Sequence, residues 1–339
     1  MKIAVIGAGS WGTAMAAHLA YLGNQISLWA REPEVAEGIN SKARNPLYLR
    51  DLDLPARIMA GNDIAHALKQ AEIVVMAVPS RWTRQVAEEV ARNINAEIPV
   101  LNLAKGFDYE TGRRLSETIG EELGKVARVA VLSGPNHAEE VAKRVASATV
   151  IASADPDVGR RLQGIFSSDY FRVYINNDIA GVEVGGAYKN IIAIAAGVLD
   201  GLGLGDNTKA TLITRGLAEM ARFGSRLGAN PITFSGLSGI GDLIVTCISR
   251  HSRNRRFGER LGRGEPPDRI LRETKMVVEG VYATRAVMAR THGIDIPIAE
   301  SVYQVIDKHA KPAEMVERLM TRGLKEESEE NLYRDFLLT

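Results

Sequence analysis

A chain of 339 residues, 45% hydrophobic and 24% charged, is long enough for about two domains with sizeable cores. Its 42 basic and 41 acidic residues leave a formal charge of +1, which gives no electrostatic footprint for nucleic acid or an anionic membrane. One cysteine, Cys247, excludes an internal disulfide and a cysteine metal site, and fits a reducing cytoplasm.

The chain opens on an apolar strand, Lys2–Ile6, followed by Gly7-Ala8-Gly9-Ser10-Trp11-Gly12 and an Ala-rich helix through Leu22. Strand, G-x-G-x-x-G and helix together predict a dinucleotide site. Gly7 permits the turn, Gly9 lets a pyrophosphate approach the backbone, and Gly12 lets the helix pack close. The helix N-terminus adds free N–H groups and partial positive charge. Gln25–Ala30 reads as the second strand, and it ends at Arg31. An acidic residue at that place holds the ribose 2′-hydroxyl of NAD, whereas an arginine suits a 2′-phosphate. Arg31 therefore favours NADP(H), with a solvated surface arginine as the other reading. Glu32 and Glu34 stand close by to serve the ribose of NAD(H).

Further strands are expected at Ile58–Ala60, Glu72–Val78, Pro99–Leu103, Val129–Leu132, Ala148–Ala152 and Tyr170–Tyr174. Helices are expected at Pro33–Ala43, from Asp63 to Gln70, at Arg81–Ile94, at Gly112–Leu123 and from Asp155. The continuous apolar runs are those of buried parallel strands. Such a doubly wound sheet binds ligands at the carboxyl ends of its strands. That edge receives Pro79-Ser80, Lys105-Gly106 and Ser133-Gly134-Pro135-Asn136-His137.

After about Asn177 only helical patterns follow: Ile179–Leu202, Asn207–Leu227, Ile240–Ile248, Arg255–Gly262, Tyr282–Thr291, Pro297–Lys308 and Ala313–Met320. The expected division is a dinucleotide-binding α/β domain over residues 1–178 and an all-helical domain over residues 179–339. The charged end, Lys325–Asp335, is expected to be partly disordered. The longest apolar stretch, Ile191–Leu199, is short of the roughly 20 residues of a membrane span.

A nicotinamide supplies hydride chemistry, and the protein must handle one proton beside it. The six histidines, His18, His66, His137, His251, His292 and His309, show no metal-ligand spacing and read mostly as surface residues. Lysines are more telling. Lys105 follows a strand at the ligand edge, and Lys189 sits early in an otherwise apolar helix. A lysine there either snorkels to solvent or is a catalytic ammonium with a lowered pKa. Gly239-Ile240-Gly241-Asp242 sets a carboxylate at a helix start. Ser249–Arg256 gathers arginines, a serine and an asparagine just before a helix, as a phosphate site, a basic solvated loop or a nucleic-acid patch, the last weakened by the near-neutral charge and the lack of interleaved aromatics.

Taken together, GAGSWGTA (Gly7–Ala14), NLAKG (Asn102–Gly106), SGPNHAEEV (Ser133–Val141), GAYKNIIAIAAG (Gly186–Gly197), GIGDL (Gly239–Leu243) and SRN (Ser252–Asn254) resemble the bacterial-type NAD(P)-dependent glycerol-3-phosphate dehydrogenases over essentially the whole chain. The resemblance implies a Rossmann domain followed by an all-α domain. It also implies a cytoplasmic homodimer that reversibly reduces dihydroxyacetone phosphate to sn-glycerol 3-phosphate for glycerophospholipid synthesis, using NADP(H) and also NAD(H). By position, Gly7, Gly9, Ser10, Trp11, Gly12, Arg31 and Ala138 would hold the cofactor, with Val277 and Glu279 closing over it. Lys105 would touch cofactor and substrate, and Gly134 and Asn136 would contact substrate. Lys189 would be the proton donor and acceptor, and Asp242 would orient it or bind a substrate hydroxyl. Ser252, Arg253 and Asn254 would take the phosphate end, with Arg253 also near the cofactor. Asn136 departs from the Ser or Thr common in the family. The wider β-hydroxyacid dehydrogenases follow the lysine with an asparagine four residues on. Here that residue is Ala193, which argues against a hydroxy-acid substrate. A nicotinamide redox sensor without turnover would not need both Lys105 and Lys189.

Overall fold

A computed structural model describes residues 1–95, 97–124, 128–274, 276–291, 293–324 and 326–327. His292 and most of the charged end from Lys325 lie outside the described residues. The chain divides into two compact units, Met1–Ala104 with Leu115–Ile179, and Lys105–Arg114 with Ala180–Thr339.

The first unit alternates strands and helices. Its elements are β1 (Lys2–Ile6), α1 (Ser10–Tyr21), β2 (Gln25–Trp29), α2 (Pro33–Lys42), β3 (Ile58–Gly61), α3 (Ile64–Leu68), β4 (Ile73–Met76), α4 (Thr83–Asn93), β5 (Val100–Asn102), α5 (Leu115–Leu123), β6 (Val129–Ser133), α6 (Ala138–Ala142), β7 (Ser147–Ser153), α7 (Pro156–Phe166) and β8 (Phe171–Asn176). They form one eight-stranded sheet in the order β3-β2-β1-β4-β5-β6-β7-β8. Every neighbouring pair is parallel except β6 and β7. Ile3, Val5, Val74 and Val75 are fully buried, because helices cover both faces. The order reverses direction between β1 and β4, where Ile6 is level with both Trp29 and Met76. The glycine turn after β1 therefore opens at the topological switch point.

The second unit is helical: α8 (Ile179–Gly201), α9 (Asp206–Arg226), α10 (Asp242–Ile248), α11 (Arg253–Gly262), α12 (Pro267–Glu273), α13 (Glu279–Met288), α14 (Pro297–Asp307) and α15 (Pro312–Met320). By length and composition α8 could cross a membrane, a length not apparent from Ile191–Leu199 alone. Almost all of it is buried at the centre of this unit, as in a core helix of a globular protein.

Three local departures from expectation have physical causes. Helices α6 and α12, of five and seven residues, are too short to show a periodicity. Helix α11 starts at Arg253 rather than Arg255, because the Ser252 hydroxyl caps it by accepting the Arg255 N–H at 3.2 Å. His18 is not a surface residue. It lies buried between the Tyr170 hydroxyl at 2.7 Å and the Phe166 carbonyl at 2.8 Å, and burial holds its pKa below the ordinary value.

Candidate active site

In the first unit the glycine turn is shaped by what a side chain would strike. Gly7 has φ +115°, and a Cβ there would stand 2.7 Å from the Ala77 carbonyl oxygen. A Cβ on Gly12 would stand 1.8 Å from the Gly7 oxygen, so α1 rests directly on the turn. At Gly9, by contrast, no described residue beyond the adjoining chain lies within 4 Å of the Cβ position, and Gly9 precedes α1 with no side-chain cap. Open space in front of an uncapped helix N-terminus fits a dinucleotide pyrophosphate. The Trp11 indole N–H is buried with no hydrogen-bond partner among the described residues. Arg31, at the end of β2, exposes 68% of its side chain and donates to Glu32 Oε1 through Nε at 3.1 Å and Nη2 at 2.5 Å. Basic and acidic candidates for the ribose end thus form one surface pair. Gly134 has φ +153° just after β6, Asn136 is buried, and Ala138 begins α6.

In the second unit, three of the expected residues are in direct contact. Lys189 Nζ donates to Asp242 Oδ1 at 2.6 Å, and Lys105 Nζ donates to Asp242 Oδ2 at 2.8 Å. Lys105 reaches this place because the excursion Lys105–Arg114 packs into the helical unit. Phe107 is buried there, 6.1 Å ring to ring from Phe223, and Arg114 pairs with buried Glu183 at 3.2 Å. Asp242 reaches it because the turn Leu237–Gly241 lies against α8 one helical turn before Lys189. A Cβ on Gly185 would stand 2.5 Å from the Ser238 carbonyl oxygen.

Lys189 is 6% exposed and therefore does not snorkel. Burial lowers its pKa and Lys105 lowers it further, while Asp242 offsets part of the shift. The ammonium falls from 10.5 to about 8. Burial opposes ionisation of Asp242, but the two ammoniums outweigh it and hold the carboxyl below its ordinary value. Two cations sharing one carboxylate leave the cluster one positive charge, suited to an anionic ligand.

Two members of this cluster were not singled out from sequence. The Thr246 hydroxyl accepts a hydrogen bond from Lys189 Nζ at 2.8 Å and donates to the Asp242 carbonyl at 2.6 Å. Its spacing of four from Asp242, on one helix face, was the available signal. Asn190 donates to the Lys105 carbonyl at 3.2 Å and accepts from Asn254 at 2.9 Å; Asn254 in turn accepts the Gly280 N–H at 2.9 Å. This buried ladder ties Lys105, Lys189, the start of α11 and the start of α13 together. Ser252 serves as the α11 cap, and Arg253 donates to the Val277 carbonyl at 2.9 Å, next to Glu279 at the head of α13.

Comparison with known proteins covers both units. A profile described as NAD-dependent glycerol-3-phosphate dehydrogenase N-terminus matches residues 2–159, and its C-terminus counterpart matches residues 178–317. A Geobacillus kaustophilus protein named glycerol-3-phosphate dehydrogenase (NAD(P)+) is 49% identical over 97% of each chain. A Thermoanaerobacter protein of the same name is 48% identical over 96% of this chain and 99% of its own. The crystal structure of glycerol-3-phosphate dehydrogenase from Coxiella burnetii superposes with a TM-score of 0.90 at 37% identity, covering 95% of this chain and 99% of that one. On sequence and fold together, the chain belongs to the NAD-dependent glycerol-3-phosphate dehydrogenase family.

Proposed function

We propose that this protein interconverts dihydroxyacetone phosphate and sn-glycerol 3-phosphate, with NADP(H) or NAD(H) as redox partner and Lys189 as the proton donor and acceptor. The observation that carries the assignment is Lys189 itself. It is a buried ammonium brought near neutrality, with two of its three N–H donors taken by Asp242 and Thr246.

When bound, the nicotinamide supplies hydride at the C2 carbonyl of the substrate. The third Lys189 N–H hydrogen-bonds that carbonyl oxygen and passes it a proton as the alkoxide develops. In the oxidative direction the neutral amine takes the proton back. Asp242 fixes the Nζ position and balances charge through both protonation states. Lys105 adds the second positive charge toward the phosphorylated substrate. Ser252, Arg253 and Asn254, at the first turn of α11, take the phosphate with backbone N–H groups and a guanidinium. Gly134 and Asn136 also contact the substrate. The glycine turn, Ser10, Trp11, Ala138, Arg253, Val277 and Glu279 hold the cofactor. Arg31 meets the 2′-phosphate of NADPH, and its partner Glu32 suits the ribose diol of NADH.

Loss of NADPH absorbance on adding dihydroxyacetone phosphate tests the assignment, run beside NADH and a panel of 2-keto and 3-hydroxy acids. Oxidation with dihydroxyacetone phosphate alone is expected. Turnover on an acid instead would move the protein to the β-hydroxyacid dehydrogenases. The same reading makes the protein a cytoplasmic homodimer supplying glycerophospholipid synthesis, and a monomer mass by light scattering would remove the dimer.

A further inference from the structure

We infer that Asn45 and Thr13 are positioning residues for cofactor binding, which together aim the Gly9 N–H at the pyrophosphate. This rests on the dinucleotide reading of the glycine turn and adds two side chains outside the glycine motif.

Asn45 lies just past α2, far from the turn in sequence, and is 1% exposed. Its amide is fully used. Nδ2 donates to the Ala8 carbonyl at 2.9 Å and to the Thr13 hydroxyl at 2.9 Å. Oδ1 accepts from the N–H groups of Leu47 and Tyr48, each at 3.0 Å. Buried Thr13, on the first turn of α1, donates its own hydroxyl to the same Ala8 carbonyl at 3.2 Å. One carbonyl oxygen in the middle of the glycine turn is therefore held by two buried donors on its inner side.

A trans peptide is planar, with its C=O and N–H pointing in opposite directions. Fixing the Ala8 oxygen inward fixes the Gly9 N–H outward. That N–H makes no hydrogen bond among the described residues, and none of them beyond the adjoining chain lies within 4 Å of the Gly9 Cβ position. Without the two donors the Ala8–Gly9 peptide is free to rotate, and a ligand must order it on binding. The motif provides a turn that can bind phosphate, and Asn45 with Thr13 holds its donor in place beforehand.

The test compares Thr13→Val, Asn45→Ala, the double variant and Thr13→Ser. Affinities are measured for NADPH by calorimetry and for adenosine 2′-monophosphate, which has no pyrophosphate, by NMR titration. Each single variant, which leaves the Ala8 carbonyl one donor short, is expected to weaken NADPH about two- to tenfold, and the double variant at least about tenfold. Thr13→Ser should stay near wild type, and the 2′-monophosphate should bind all of them alike. Unchanged NADPH affinity, or equal loss for both ligands, would overturn the inference. Should the double variant fail to fold by circular dichroism, the two single variants decide alone. A wild-type protein that binds neither NADPH nor NADH would instead overturn the cofactor reading, and the inference with it.

Discussion

The two units carry their chemistry in opposite ways. In the first, the turn proposed to face the pyrophosphate is backbone, and that reading needs side chains to be absent at Gly7, Gly9 and Gly12. In the second, the proposed chemistry needs side chains to be present. Lys105 and Lys189, from two segments, converge on the buried Asp242 carboxylate of a third, with Thr246 holding Lys189 beside it. A backbone site tolerates no added atom, and a side-chain site tolerates no lost one. Subtraction should therefore weigh most in the helical unit, and addition most in the glycine turn of the sheet unit.

The largest expected effect is subtraction at Lys189. Lys189→Ala should lower kcat by about 10²–10⁴-fold, the usual worth of general acid–base help. Its affinity for NADPH should stay near wild type, because the glycine turn belongs to the other unit. Near-normal turnover would break the assignment. Addition is the mirror test. Gly12→Ala places a methyl 1.8 Å from the Gly7 oxygen and 3.1 Å from the Ala77 Cβ. Overpacking costs about 1–3 kcal/mol, so NADPH should bind roughly ten- to a hundredfold more weakly. Undiminished NADPH binding by calorimetry would show that the turn does not depend on that close approach.

A finer test separates the two lysines by the pH dependence of rate. Reduction needs the Lys189 ammonium and should fall as pH rises past about 8, while oxidation should rise toward that pH. Lys105→Met removes a charge that lowers the Lys189 pKa, so both limbs should move to higher pH. Asp242→Asn removes the charge that raises it, so both should move lower. Shifts of the same sign in the two variants would break the picture of one carboxylate shared by two cations.

This contrast also explains what could be read in advance. The glycine turn, β1, β4 and the helix carrying Lys189 are legible because each rests on local pattern: a short motif, a continuous apolar run, a 3.6-residue period. Lys105 as part of the helical unit is not legible. Its excursion is fixed by Phe107, 6.1 Å from Phe223 of α9, and by Tyr109, 5.5 Å from Tyr282, contacts more than a hundred residues away in the chain. Thr246, Asn190 and Asn45 escaped notice for the same reason, since a threonine or asparagine gains its meaning from the partner it meets. His18 looked like surface because nothing in a lone histidine announces a tyrosine and a carbonyl waiting around it.

The smallest expected effect tests whether the helical unit also depends on a side chain away from the lysines. Glu219, on α9, is fully buried. It accepts the N–H groups of Ile298 and Ala299, each at 2.8 Å, at the start of α14, and the hydroxyl of Tyr188, the neighbour of Lys189, also at 2.8 Å. Burial disfavours the carboxylate more than these three donors favour it, and its pKa is pushed up to about 7. The folded state thus binds a proton that the unfolded chain releases near 4.5. Glu219 contributes stability that is fully present below about pH 4.5 and is lost as pH rises through about 7, an effect of at most about 3 kcal/mol. Glu219→Gln cannot titrate, although its amide sets a donor against one of the two backbone N–H groups and lowers stability at every pH. Melting temperatures of wild type and variant should therefore converge as pH rises from 4.5 to 7. Parallel curves would mean that Glu219 does not titrate there, leaving the three donors, rather than burial, in control of its charge.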